Sequence, residues 1–308
     1  MGGDPDFQPD AYWPRLLDVG RSEGQRFGLP IGVVPQVTII NLNAARAAGV
    51  EPPPSDARTF TGEVLVEASL ALHRLPREGD VLGSPGLLTS FTPEPNVAGV
   101  YELWPAPSLM LPAAIRSIRD SQGTLRPLES QAAVAAVALL RDLVKRYDLM
   151  PIRRVDFRSY FREGRWGLHL SSLLLEGFGV LGEGHPVYPF PNLGAGRNPA
   201  VVWGLLGIPA GSRDPELAYH ALRVLERTLA DWSIFPSRRV SAEVLRNRLP
   251  DIAPADAEMV SALLRNATFD RPSYEESSLI NNTIARDVLL GNVEPAEALR
   301  RIVTELAG

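Results

Sequence analysis

The 308-residue sequence contains no cysteine, which excludes disulfides, thiolate metal sites, thiol catalysis and a lipidated cysteine anchor together. Histidine is scarce as well. The four, His73, His169, His185 and His220, show no His-x-x-x-His spacing and no clustered carboxylates, so no metal site is expected. No apolar run approaches the roughly 18 residues of a membrane-spanning helix. Met1-Gly2-Gly3-Asp4-Pro5-Asp6 has neither the basic nor the apolar stretch of a secretion signal. Blocks of one charge sign are also missing: 31 Lys and Arg against 36 Asp and Glu give a net charge of −5, spread along the chain. Nucleic acid and anionic membrane are therefore not expected partners.

What is present is a globular composition, 45% hydrophobic and 22% charged, enough for one large or two modest domains. Residues 28–40, Gly-Leu-Pro-Ile-Gly-Val-Val-Pro-Gln-Val-Thr-Ile-Ile, form an apolar run rich in Val and Ile and predict a strand. Asn41 then caps a short helix that stops at Gly49. Asp10 to Leu17 predicts a short helix. Glu51-Pro52-Pro53-Pro54-Ser55-Asp56 reads as a rigid connection ending in a cap, with a helix near 60–73. Residues 81–100 are dense in Gly, Pro, Ser and Thr and predict a loop region with one short strand. Glu129 to Asp148 carries an apolar stripe of Val134, Val137, Ala138, Leu140, Leu143 and Val144 and predicts a helix capped by Ser130. Asp214-Pro215-Glu216 has the proline and acidic groups of a helix start.

Signatures of catalysis are weak. Gly177-Phe178-Gly179-Val180-Leu181-Gly182 fits a dinucleotide fingerprint in spacing, but Glu183-Gly184-His185-Pro186 follows where a helix should open, so a glycine-rich loop is the reading. Nucleophile elbows and Walker loops are absent. Glu275 and Glu276 are adjacent on a helix and point apart, which suits a solvated face better than acid–base work. No catalytic residue and no cofactor is expected.

The order of segments resembles bacterial extracellular solute-binding proteins of the sugar-binding class, family 1, which serve ABC permeases. The resemblance begins with the Leu29-Pro30 strand and the Asn41 to Gly49 helix. It continues through Phe161, Gly164, Arg165, Gly167 and Leu168, then Tyr188-Pro189-Phe190-Pro191 and the strand Val201 to Gly207. It closes with Ser212-Arg213-Asp214-Pro215-Glu216, Phe235-Pro236-Ser237-Arg238 and Leu290 to Leu299. The family opens with several βα units before the Leu-Pro strand, and here only residues 1–27 precede it.

The resemblance implies an α/β, periplasmic-binding-protein-like (type II) two-lobed fold with an N-terminally shortened first lobe. Residues 1–33 and 188–238 would form the first lobe, and 34–187 with 239–308 the second. It also implies an extracellular or periplasmic place, a sugar or other small polar solute as ligand, and ABC permease subunits as partners. Sugar clefts stack ring faces on Trp or Tyr and satisfy hydroxyls with polar side chains. On that basis Trp203, beside Gly204 on the return strand, is the first candidate platform, with core packing as the alternative. Tyr101, Glu102 and Trp104 fall where relatives present an aromatic and a carboxylate. Ser171 and Ser172 end a strand that in relatives carries Asn-Gly-x-Trp, the Trp place here being Leu174. Gln36 lies just past the crossing strand, at hinge or ligand. Tyr274 and the pair Asn281-Asn282 fall in the C-terminal helices. The alternative function is a shortened, non-transport interaction or sensing module of the same fold.

Overall fold

Strand β3, Gly28–Ile40, organises the molecule. All thirteen of its residues are buried, as expected of a β-branched run covered on both faces. The computed structural model describes residues 7–22, 25–56, 58–73, 87–88, 90–91, 103–104, 107–120, 123–150, 163–164, 166–172, 184–232, 235–269 and 273–307. Ahead of β3 lies a small ribbon, β1 (Arg21–Ser22) and β2 (Gln25–Arg26). After it come helices α1 (Leu42–Ala48) and α2 (Gly62–His73), then short strands β4 (Leu87–Leu88), β5 (Ser90–Phe91) and β6 (Leu103–Trp104). Helices α3 (Pro107–Ile115) and α4 (Gln131–Lys145) precede strands β7 (Leu168–Ser172), β8 (Val187–Pro189) and β9 (Ala200–Gly207). The chain ends in α5 (Pro215–Trp232), α6 (Ala242–Arg248), α7 (Pro254–Arg265), α8 (Tyr274–Thr283), a π-helical segment (Ile284–Leu290) and α9 (Pro295–Ala307).

The two halves of β3 have different partners. Gly28 to Pro35 pairs antiparallel with β9, from Gly28 opposite Gly207 to Pro35 opposite Ala200. Gln36 to Ile40 pairs antiparallel with β7, and Val37 to Ile39 with β8. β4 joins β7 in parallel. Within the β3–β9 ladder the register slips twice, between Pro30 and Gly32 and between Gly32 and Val33. Ile31 is the extra residue of the first bulge and Trp203 that of the second. A side chain at Gly204 would place its Cβ 2.6 Å from Ile31 Cδ1, so glycine is what lets Ile31 pack there.

Three apolar clusters share β3. Ile40, Leu168 and Leu170 join α2, α3, α4, α8 and α9 around one core. Val33, Val37 and Ile39 join Trp13, Trp166, Val187, Val202, Phe235 and helices α6 and α7 around a second. Leu29 joins Tyr12, Leu17 and Leu222 in a third, with Phe7, Leu206 and Ile208 packed against it.

The local signals hold where both strand and cap are written in neighbouring residues. Asn41 Oδ1 accepts the Asn43 and Ala44 N–H groups, and Gly49 closes α1 in the left-handed region at φ 65°. Ser130 caps α4, whose buried face is Ala133, Ala136, Val137, Leu140, Leu143 and Val144, so the two alanines take places given to Val134 and Ala138 by pattern alone. Asp214 Oδ1 accepts the Leu217 N–H at 2.9 Å and starts α5.

Elsewhere the structure corrects the reading. Asp10 to Leu17 is not one helix but two 3-10 turns, Pro9–Ala11 and Leu16–Gly20, separated by an extended Tyr12 and by Arg15 at φ 66°. Pro14 forces the residue before it away from helix. Asp56 does not cap α2; its carboxylate accepts the Arg58 N–H in a local turn, and Thr61 supplies the cap oxygen to Val64. Glu276 is not simply solvated: with Ser273 it forms a capping box, and its Oε1 also takes Arg119 at 2.6 Å. Burial pushes the Glu276 carboxyl up, but the Ser273 N–H and the Arg119 charge outweigh it, leaving the pKa lowered.

Candidate functional site

The chain passes between the partner sets of β3 twice, and the two passages meet. On the outward pass the partner changes between Pro35, opposite Ala200, and Gln36, opposite Ser172. The return runs from β8 through residues 190–199 into β9. Asn198 ties the two together. Its Oδ1 accepts the Phe190 N–H at 2.9 Å, and its Nδ2 donates to the Gln36 carbonyl at 2.8 Å and the Pro199 carbonyl at 3.0 Å. Its own carbonyl accepts the Thr268 N–H at 2.9 Å.

Gln36 donates its backbone N–H to the Pro199 carbonyl at 3.0 Å. Its side chain is 1% exposed, and Nε2 has no hydrogen-bond partner among the described residues. An unmatched buried amide costs about 1–3 kcal/mol. Thr38 Oγ1, two residues on, is buried without a partner in the same way.

Charge near the crossing comes from two sources. The Asp256 carboxylate, in the first turn of α7, is buried and accepts the Val187 N–H at 3.0 Å. Burial raises its pKa, opposed only in part by that hydrogen bond, and Asp256 in turn adds to the burial that lifts the Tyr188 phenol. The sign follows. A carboxyl whose folded pKa lies above its unfolded value favours folding when protonated, and that contribution is lost as pH rises through the folded pKa. Asp256→Asn keeps an oxygen for Val187 and removes the buried charge. It should therefore raise the melting temperature at pH 7, with the gain shrinking toward pH 3 in a pair of thermal melts; a lower melting temperature at pH 7 would refute the assignment.

The second source is cationic. Arg116 Nε donates to the Ala195 carbonyl at 3.0 Å, which anchors the return loop on the end of α3. Two residues further, Arg197 is partly buried, and its guanidinium pKa is lowered by that burial first and then by the positive charges of Arg15 and Arg116.

Of the sequence candidates, Gln36 lies directly across from Ser172, and Ser171 across from Val37, so the crossing brings these three into adjacent strands. Trp203 is the bulged residue of β9, beside Gly32 of β3. Trp104 pairs through its backbone with Ser90 in the separate β5–β6 ribbon, and Tyr274 opens α8. Asn281 in the same helix accepts the Ser108 N–H at 3.0 Å and so joins α8 to α3. Tyr101, Glu102 and the glycine-rich Gly177–Gly182 run lie outside the described residues. Asn198, Asp256 and the three arginines were not singled out from sequence. The Asn198-Pro199 pair signals a turn, but nothing local reveals the strands it joins.

Among the described residues no group of three or more His, Asp or Glu could hold a metal ion, and no helix is long and apolar enough to cross a membrane. No protein-family model and no curated protein matches the sequence. Solved structures do match. The chain superposes on an ABC substrate-binding protein from Listeria monocytogenes, determined with cycloalternan, with a TM-score of 0.70 and 18% identity, over 99% of this chain and 77% of that one. Maltose-bound MalE3 of T. maritima gives 0.68 and 19%, over 96% and 76%. A cyclic α-maltosyl-1,6-maltose binding protein from Arthrobacter globiformis gives 0.68 and 14%, over 96% and 74%. The chain therefore has the α/β fold of sugar substrate-binding proteins over nearly its whole length, and it spans about three quarters of theirs.

Proposed function

We propose that the chain captures a polar solute of carbohydrate type between two lobes and presents it to an ABC permease, without chemistry on the ligand. The observation that supports this reading is the double crossing: β3 changes partner from β9 to β7 and β8 between Pro35 and Gln36, and the return loop runs back from β8 into β9, as a hinge between lobes requires. Asn198 holds the two crossings in step, and ligand contacts made to both groups would shift the balance toward closure. The lobe assignment, 1–33 with 188–238 against 34–187 with 239–308, is part of the proposal. So are the roles: Trp203 as stacking platform, Gln36, Ser171 and Ser172 as polar partners of the ligand, and Tyr101, Glu102, Trp104 and Tyr274 from the opposing group.

The test is a thermal-shift panel of mono- and disaccharides, oligosaccharides and polyols. A ligand at 100 times its Kd that binds only the folded state adds about 2.7 kcal/mol. One solute class should raise the melting temperature saturably, and Trp203→Ala should remove at least tenfold in affinity while the unliganded melt stays within a few degrees. A flat panel from a cooperatively melting sample would reject solute capture.

A further inference from the structure

Helix α5 carries its apolar residues outward. Leu217, Ala221, Val224, Leu225 and Thr228 recur at spacings of three and four and so form one stripe. All five are exposed, Leu217 by 65%, Val224 by 63% and Leu225 by 52%. The Thr228 hydroxyl donates to the Val224 carbonyl at 3.0 Å, so the one polar side chain on the stripe is already engaged within the helix. A helix facing water alone would present its charges outward and bury its leucines. Here the inner side fixes the rotation. Glu226 is fully buried and accepts Arg238 from Nε and Nη2, and the buried Arg223 meets the Tyr12 hydroxyl. Rolling the leucines inward would break this network and strand its charges. One flank of the stripe is charged. Glu216 and Arg227, both exposed, stand on the same side of it about three turns apart, and among the described residues neither takes part in an ion pair.

We propose that α5 is the contact face of a symmetric dimer, in which a second copy of the chain lays its own α5 antiparallel along the stripe. The pattern of the helix is complementary to itself in that orientation. A two-fold axis between Ala221 and Val224 sets Ala221 beside Val224 of the second copy and Leu217 beside its Thr228. The same rotation brings Leu225 to the partly buried Ala218 of the copy. It also brings Glu216 to the copy's Arg227, because residues on one flank of a helix meet the same flank of an antiparallel mate. Symmetry makes each of these contacts twice, so two ion pairs of opposite sign border the apolar seam. A parallel copy would instead set Glu216 against Glu216 and Arg227 against Arg227. The seam is about 16 Å long, which puts the contact at the small end of specific interfaces and its dissociation constant on the order of micromolar. The inference does not depend on solute capture, since it rests on the pattern of α5 alone.

The experiment is sedimentation equilibrium of the 308-residue chain across the micromolar range, which should show a monomer and a dimer in concentration-dependent balance. Leu217→Lys with Val224→Lys should weaken the dimer at least about tenfold. Both positions are exposed, so the melting temperature of the dilute monomer should stay as it was. The charge pair gives the orientation. Glu216→Arg alone and Arg227→Glu alone should each weaken association by about tenfold, since each replaces two attractive contacts with two repulsive ones. Combining them reverses both charges, and the double variant should return to within about threefold of the parent. Three results would overturn the proposal: a monomer at every concentration, a dimer indifferent to the changes at Leu217 and Val224, or a double charge variant no tighter than either single one. The second would place the dimer contact on another face, and the third would rule out the antiparallel pairing.

Discussion

Replacing Glu226 with alanine should remove about 3–5 kcal/mol of stability, the expected result of breaking a buried ion pair from one side. Glu226 is 0% exposed and holds two guanidinium groups. Arg238 reaches its two oxygens from Nε and Nη2, both at 3.0 Å, and Arg223 Nη1 lies 3.4 Å away while also meeting the Tyr12 hydroxyl at 3.3 Å. The Glu226 hydrogen bond is the largest influence raising the Arg238 pKa, and the Tyr12 phenol is raised by burial first and by the Glu226 charge next. Alanine would take from the buried Arg223 the carboxylate that it meets at 3.4 Å, and Arg223 cannot leave the α5 face it sits on. Arg238, whose side chain is 28% exposed, can turn to water. Glu226→Gln should therefore cost less than alanine, since the shape and one acceptor remain. Urea titrations would read both as a lower midpoint at unchanged slope. A loss below about 1 kcal/mol for the alanine variant would mean that solvent already screens the network.

Asn198→Ala should be the second large effect, on the order of 2–5 kcal/mol, because it leaves the buried Phe190 N–H and the Gln36 carbonyl without partners at about 1–3 kcal/mol each, with a small cavity added. The loss falls on the crossing itself, so it should also loosen the coupling between the two groups of elements. Asn198→Asp distinguishes hydrogen bonding from packing. The carboxylate keeps an acceptor for Phe190 but sets negative charge against the carbonyls of Gln36 and Pro199. Protonation would restore a donor toward one of them, so the variant should gain stability relative to the parent as pH falls from 7 to 4.5. Identical pH profiles for variant and parent would show that the side-chain amide is not holding the crossing.

The parts of the fold legible in the sequence are those whose cause is local. β3 follows from a continuous β-branched run, α1 from Asn41 and Gly49 at its ends, and α4 from a stripe behind Ser130. The capping box of α8 was equally local, Ser273 and Glu276 standing three apart, but it is hidden when Glu275 and Glu276 are read as a pair. What escaped has long-range causes. Asn198 acts on Gln36 from 162 residues further along the chain. Glu226 is buried because Arg238 approaches it from beyond the helix, whereas the α5 pattern by itself assigns the leucine stripe to the core. The candidate site was legible only as a neighbourhood. Gln36 and Ser172 meet because β7 pairs there, a register that no spacing within either segment reveals.

The two bulges of the β3–β9 ladder act as a matched pair of phase slips. Ile31 adds one residue to β3 and Trp203 adds one to β9, so the pairing leaves the region in the alignment with which it entered. Removing either residue alone would shift everything beyond it by one place and exchange inward for outward side chains on that side. Removing both would restore the phase. A lineage could therefore lose this irregularity through two coordinated deletions far apart in sequence but not through one, which makes positions 31 and 203 a linked pair even though neither is a partner of the other in the ladder.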